Sequence, residues 1–245
     1  MLAGWSRVEI ANKSADVFEP PKTRATRLAL LYLHAEDGKS PADNATITAL
    51  LRTHCLMCVA PHGGRSWWAD RVCPEFDTSL TALQHLLRNV APWMETRWGL
   101  GPRSIGVAGV GMGGQGAIRL GLKFPDRFPV VASIGGAFDY HDFHGRGTPL
   151  DEMYDSREQC RQDTAVLHVD PYRWPLHLWL ACDPADDGFR GNDRLHEKLT
   201  ALGVSHTADL LTTTGGDSGV YADRMVGPMI AYVLTGLERE SRRLM

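Results

Sequence analysis

Apolar residues along the chain fall in short continuous runs, separated by longer stretches where they recur every three or four positions. Residues 28–33 (LALLYL) and 55–60 (CLMCVA) are such runs, as expected of strands covered on both faces. Segments 104–109, 129–134 and 177–182 repeat the pattern, and 206–211 closes it. Two short strands, at 7–10 and 15–19, precede them, and Pro20 and Pro21 end the second. Residues 42–54 are weakly helical. A long helix follows Asp77 or Ser79, either of which could cap it. Its Leu80, Leu83, Leu86, Leu87, Val90 and Trp93 mark one buried face. Further helices are expected from the turn after 109 to about residue 123, at 190–202 and at 222–239. This alternation predicts a mostly parallel, doubly wound sheet with helices on both faces, in a single domain over 1–245.

Residues 138–174 interrupt the alternation. They are rich in His, Asp, Tyr, Arg and Pro, with a few short helical stretches. An excursion of this length in an α/β chain is usually a cap over a site or one of its walls.

Composition narrows the reading. At 43% hydrophobic, the chain can bury an ample core. A net charge of −3, with no basic stretch, gives no footing for nucleic acid. No apolar run approaches the ~18–20 residues of a membrane helix. The opening MLAGWSRVEI lacks the basic start and apolar core of a signal peptide. Cys55, Cys58, Cys73, Cys160 and Cys182 are odd in number and scattered, which argues against a disulfide framework. The C-x-x-C of Cys55 and Cys58 lies in an apolar run and reads as two core cysteines. A reducing cytoplasm fits this usage.

The chemistry concentrates at residues 105–124, IGVAGVGMGGQGAIRLGLKF. A strand enters a glycine cluster and a helix leaves it, the layout that carries G-x-S-x-G in serine hydrolases. The central position here is Gly111, which has no oxygen to attack an ester. A serine in such a turn stores roughly 1–3 kcal/mol of backbone strain, whereas glycine adopts positive φ freely. A plain glycine-rich turn is the simpler alternative. GVGMGG also resembles a dinucleotide fingerprint, but it lies mid-chain and no acidic residue ends a strand about 20 residues later.

Two later segments are placed to complete such a site. After strand 177–182 comes CDPADDGFRGN, where Asp187 is the candidate acid and Asp186 the alternative. Asp183 stands at the strand end before Pro184 and suits a turn. The loop after 206–211 reads TTTGGDSGVY and holds no histidine; Asp217 occupies the place for one. An ordinary carboxylate is a much weaker base than imidazole. An oxyanion cradle would use backbone N–H groups at Met112 and near Ala35, with a helix N-terminus behind.

These segments together resemble the esterase D-like branch of the α/β-hydrolases, which includes S-formylglutathione hydrolase and mycolyltransferases. The resemblance runs through LLYLHAEDG (30–38), VAPHGGRSWWAD (59–70), GMGGQGAIRLGLKFPDRF (111–128), DPADDGFRGN (183–192) and TTGGDSGVY (213–221). It implies an α/β-hydrolase fold with a cap-like excursion around 138–174. In that family the elbow usually reads S-M-G-G and the last motif carries G-H-S or D-H-S. Gly111 thus stands at the nucleophile position, Asp187 at the acid and Asp217 at the histidine. His34 is followed by Ala35 where the family often has His-Gly.

Two of three triad members are therefore replaced, at separate places. The expectation is a non-catalytic or severely impaired esterase homologue that retains a pocket for a small acyl or anionic ligand. No cofactor, metal, nucleic acid or membrane partner is expected, and the oligomeric state is open. One alternative is an ester hydrolase with different catalytic groups: Asp187 paired with Asp217, or a substitute among His62, His141 and His144. Two carboxylates facing each other would raise one pKa or enclose a cation. Another alternative is an interaction protein using 138–174, with Trp67, Trp68 and Trp174 as anchors, although Trp67 and Trp68 read more readily as packed side chains.

Overall fold

The computed structural model describes residues 1–21 and 27–243. Its centre is one eight-stranded sheet: β1 (Trp5–Ile10), β2 (Lys13–Phe18), β3 (Ala29–Leu33), β4 (Met57–Pro61), β5 (Ile105–Val110), β6 (Val130–Ile134), β7 (His177–Ala181) and β8 (Thr207–Asp209). The strand order is β1-β2-β4-β3-β5-β6-β7-β8. The pairs β1–β2 and β2–β4 are antiparallel, and every later pair is parallel. The continuous apolar runs are the central strands, and all residues of β3, β4 and β6 are buried. Covering by helices on both faces requires this, because a parallel sheet has no solvated side.

Helices α1 (Ala45–Thr53) and α5 (Ser218–Arg243) cover one face, with Ile47, Leu51, Met225, Ile230 and Val233 in that core. The other face is covered by α2 (82–98), α3 (Met112–Lys123) and α4 (Phe189–Ala201). Helix α2 runs from Ala82–His85 through a π turn at Leu86–Val90 into Ala91–Trp98. Pro92 follows the π turn by two residues, and its missing N–H cannot continue the ordinary ladder. Its cap is Thr81, whose Oγ1 accepts from Gln84 N at 3.1 Å, rather than Asp77 or Ser79. Asp77 instead accepts from the backbone of Ser79 and Leu80, both at 2.9 Å, closing the turn before the helix. The apolar spacing extends to Leu80, outside the helix, and this displaced the expected start.

The C-x-x-C pair also departs from expectation. Cys55 sits in the turn before β4 with φ +51, whereas Cys58 is buried on the strand.

The excursion between β6 and β7 carries four short helical segments: Tyr140–Phe143, Leu150–Met153, Arg157–Gln162 and Ala165–His168. Tyr140, Leu150, Tyr154 and Cys160 are buried in the α3-side core. A polar cluster fastens the segment to α3. Buried Arg119 donates to Asp163 Oδ1 and to the Tyr140 hydroxyl, both at 2.9 Å, and the Tyr154 hydroxyl donates to Asp163 Oδ2 at 2.6 Å. The excursion is thus a fixed wall, tied to the helix that follows the glycine turn.

The six parallel strands β3 to β8 share one direction, so the segments that follow them gather along one edge. His34, His62, Gly111, Asp183 and the 210–217 loop all emerge there, the edge where open α/β sheets place ligands. Among the described residues, no helix is long and apolar enough to cross a membrane.

Candidate active site

Gly111 lies between β5 and α3 at φ 55°, ψ −117°. Glycine takes this conformation freely; an L-residue takes it only under strain. Three hydrogen bonds hold it. Gly111 N donates to Ile134 O at 2.9 Å, and its carbonyl accepts from Gln115 N at 3.1 Å and Ala137 N at 3.0 Å. The flanking glycines are required by packing. A Cβ on Gly113 would lie 1.9 Å from Leu33 O, and one on Gly109 would lie 2.4 Å from Gly113 C. Gly111 differs from both. Its Cβ would meet only Ala35 Cβ, at 3.5 Å, an ordinary contact. The turn keeps the shape that presents a side chain, and there is room for one, but no side chain is present.

The loop after β3 packs beside this turn. His34 is buried. Its Nε2 accepts from Gly63 N at 2.9 Å, so the ring proton sits on Nδ1, which donates to Ala35 O at 2.7 Å. Burial pulls its pKa below the usual histidine value, and the Ala35 carbonyl opposes this only in part. Trp68 Nε1 donates to His34 O at 3.1 Å. Trp67 and Trp68 both have left-handed backbones, φ 55° and 49°, which cost roughly 1–2 kcal/mol each in a non-glycine residue. Trp67 O accepts from Gln115 Nε2 of α3, and the Trp67 ring stacks on Tyr140 with centroids 5.4 Å apart. Both indoles are about 1% exposed, so they are packing residues and offer no surface to a partner. Trp174 is partly buried against the same core.

The candidate acids have separate surroundings. Asp187 is exposed on the turn before α4 and makes no hydrogen bond or ion pair among the described residues. Asp186 accepts from Gly188 N at 2.7 Å and shapes that turn. Asp183 is the buried one, and it reaches further than a turn role requires. Its carboxylate accepts from Ala185 N (2.9 Å), Thr213 Oγ1 (2.7 Å), Thr214 N (2.6 Å), Thr214 Oγ1 (3.0 Å) and Gly216 N (3.2 Å). Burial pushes its pKa up, but the donors, led by Thr214 N and Ala185 N, outweigh burial and hold it well below the carboxylate range. Asp183 therefore shapes the loop that runs from Thr213 to Gly216.

Asp217 is exposed and caps α5. Its Oδ1 accepts from Val220 N at 2.9 Å and its carbonyl accepts from Tyr221 N at 2.9 Å. The Asp187 and Asp217 carboxylates share no hydrogen bond. The substitute histidines are also engaged. His62 Nε2 lies 2.9 Å from Asp16 Oδ2, and His144 Nε2 lies 3.0 Å from Tyr154 O. His141 Nε2 stands 3.5 Å from Asp142 Oδ1. Asp16 is buried; burial pushes its pKa up, but Arg7, Ser40 and His62 bring it down to about 2. Among the described residues, no group of three or more His, Cys, Asp or Glu could hold a metal ion. Two surface grooves of about 450 and 460 Å³ lie elsewhere, one by Arg103 and Ser104 at the start of β5, the other by Trp179 and Tyr232.

A family model described as "Putative esterase" matches residues 12–221. The chain belongs to this esterase family. No protein with a curated description matches the sequence. Among solved structures, a ferulic acid esterase superposes with TM-score 0.78 at 15% identity, covering 95% of this chain and 97% of its own. The Staphylococcus aureus fluorophosphonate-binding serine hydrolase F gives 0.75 at 15% identity, over 94% and 97% of the two chains. Mycobacterium tuberculosis MPT51 gives 0.72 at 16% identity, over 96% and 100%. At such identities the likeness is one of fold, and it fixes the α/β-hydrolase architecture for this esterase-family chain.

The sequence pointed to Gly111, Met112, Ala35, Asp187 and Asp217. The structure brings Gly111, Met112 and Ala35 together and leaves Asp187 and Asp217 exposed at their turns. It adds a role for His34, which the sequence marked only as the residue before Ala35, and for Trp68, which the sequence marked as a packed side chain. Their signals were the His-Ala pair after the strand and the two buriable aromatics in RSWWAD; hydrogen bonds to backbone carbonyls leave no periodic trace.

Proposed function

We propose that this esterase-family chain does not perform serine-dependent acyl transfer and instead holds a small carbonyl or carboxylate ligand beside the glycine turn. One observation carries the reading: Gly111 keeps the strained geometry of a nucleophile elbow, with clearance for a side chain, yet supplies no oxygen. Use of Asp217 as a helix cap supports it, since the position where the family's histidine belongs serves another purpose. The N–H groups of Ala35 and Met112 belong to the backbone, so loss of the triad leaves them in place. The buried thiols Cys58, Cys73, Cys160 and Cys182 support a reducing, cytoplasmic setting.

The test compares the native chain with the Gly111→Ser, Asp217→His double variant. The native protein should neither turn over p-nitrophenyl acetate above background nor be labelled by a fluorophosphonate. Turnover or labelling gained only in the double variant would support the reading. Ordinary turnover by the native chain would end it.

A further inference from the structure

Two peptide planes meet at Ala35, and each is held from outside its own loop or by its own ring. The plane joining His34 to Ala35 carries the His34 carbonyl and the Ala35 N–H, which point in opposite directions in a trans peptide. Trp68 Nε1 donates to that carbonyl at 3.1 Å, which fixes the opposite direction for the Ala35 N–H. The next plane carries the Ala35 carbonyl, which accepts from His34 Nδ1 at 2.7 Å and Gly38 N at 3.0 Å. His34 can donate there with Nε2 still accepting from Gly63 N only as the neutral Nδ1–H tautomer. Its ring meets Trp68 edge-on with centroids 5.0 Å apart. Two consecutive tryptophans are held in left-handed backbone to make this arrangement.

We infer that His34 and Trp68 are the positioning residues of the oxygen-binding cradle: indole and imidazole together aim the Ala35 N–H beside Gly111. The inference rests on the carbonyl or carboxylate cradle proposed above and says what keeps it in shape. The imidazole must stay neutral. The ionisable groups around it are His62, beyond β4, and Asp37 on its own loop, the latter paired with Lys39 at 3.0 Å. Protonation at Nε2 would put two donors face to face and expel the Gly63 N–H.

The experiment uses the full-length 15N-labelled chain with butyrate and benzoate as probes. Native protein at about pH 7.5 should show a protected Gly63 amide and saturable shifts of the Ala35 and Met112 amides. His34→Ala should abolish the Gly63 protection, and both it and Trp68→Phe should weaken carboxylate binding by about fivefold or more, the effect of one lost hydrogen bond. An exchange-labile Gly63 amide in the native protein, or equal binding by native and His34→Ala, overturns the inference. Protection that depends on His34, with no probe shift in the native chain, overturns the ligand reading instead.

Discussion

Alanine at Gly111 and at Gly113 should have sharply different consequences, although the two glycines lie in the same turn. At Gly111 the new Cβ meets only Ala35 Cβ, at 3.5 Å, so there is no steric cost. What remains is an L-residue at φ 55°, ψ −117°, a strain of roughly 1–3 kcal/mol. At Gly113 the Cβ would lie 1.9 Å from Leu33 O, 2.5 Å from Leu33 C and 2.7 Å from His34 O. These are backbone atoms of a central strand and its exit, and they cannot rotate aside. Helix α3 would have to part from β3, opening the contacts of buried Met112, Ala117 and Ile118. That belongs with the exceptional losses, above about 4 kcal/mol. For a chain of this size each kcal/mol shifts the melting temperature by roughly 2–4 °C. Thermal unfolding by circular dichroism should thus show Gly111→Ala as a modest loss, with Gly111→Ser beside it. Gly113→Ala should melt far lower or fail to fold. Equal losses at the two positions, or a Gly113→Ala protein as stable as Gly111→Ala, would refute the claim that only the central glycine is sterically free.

Three further outcomes follow from other parts of the molecule. Asp217→Ala removes the α5 cap and should cost about 1 kcal/mol, read as a denaturant midpoint shift, with the first-turn amides of α5 exchanging faster. Burial, with a smaller push from Lys13, lowers the His85 pKa to about 4. The folded protein thus prefers neutral His85, and its full contribution is present above the unfolded value near 6.5 and is lost as pH falls from there to about 4. Melting temperature should drop across that window, and His85→Gln should flatten the slope; an unchanged slope would remove His85 as its source. Arg119→Met takes the guanidinium from the Asp163 carboxylate, leaving it to Tyr154 and His168, and should destabilise by about 3 kcal/mol. Limited proteolysis should then cut first within 138–174; first cuts elsewhere would mean that Arg119 does not hold the excursion.

Much of the architecture was legible because each buried strand is a continuous apolar run and each covering helix has one apolar stripe. Strand order was not legible, since β4 inserting between β2 and β3 leaves no mark in local periodicity. The boundary errors are instructive. Leu80 fits the α2 stripe but sits just before the helix, because Thr81 supplies the cap. Gly111 was readable because a missing oxygen is a local fact. Asp217 was read through its place in a motif, although D-S-G-V before an apolar helix is also an N-cap pattern. Asp183 was assigned a turn, and only the folded chain shows its carboxylate gathering Thr213, Thr214 and Gly216 from a loop some thirty residues away. His34 and Trp68 act by holding backbone, which a sequence does not display.

On the reading proposed above, the cap on α5 also bears on whether this chain could regain acyl chemistry. A vacated catalytic position that merely faces solvent can be refilled by one substitution at little cost. Here the carboxylate at that position starts a 26-residue helix that, with α1, covers one face of the sheet. An imidazole placed there must find its partner acid and also leave the helix start untended. The route back therefore runs uphill at its first step, and steeper still if the serine arrives first, into a turn that prefers glycine.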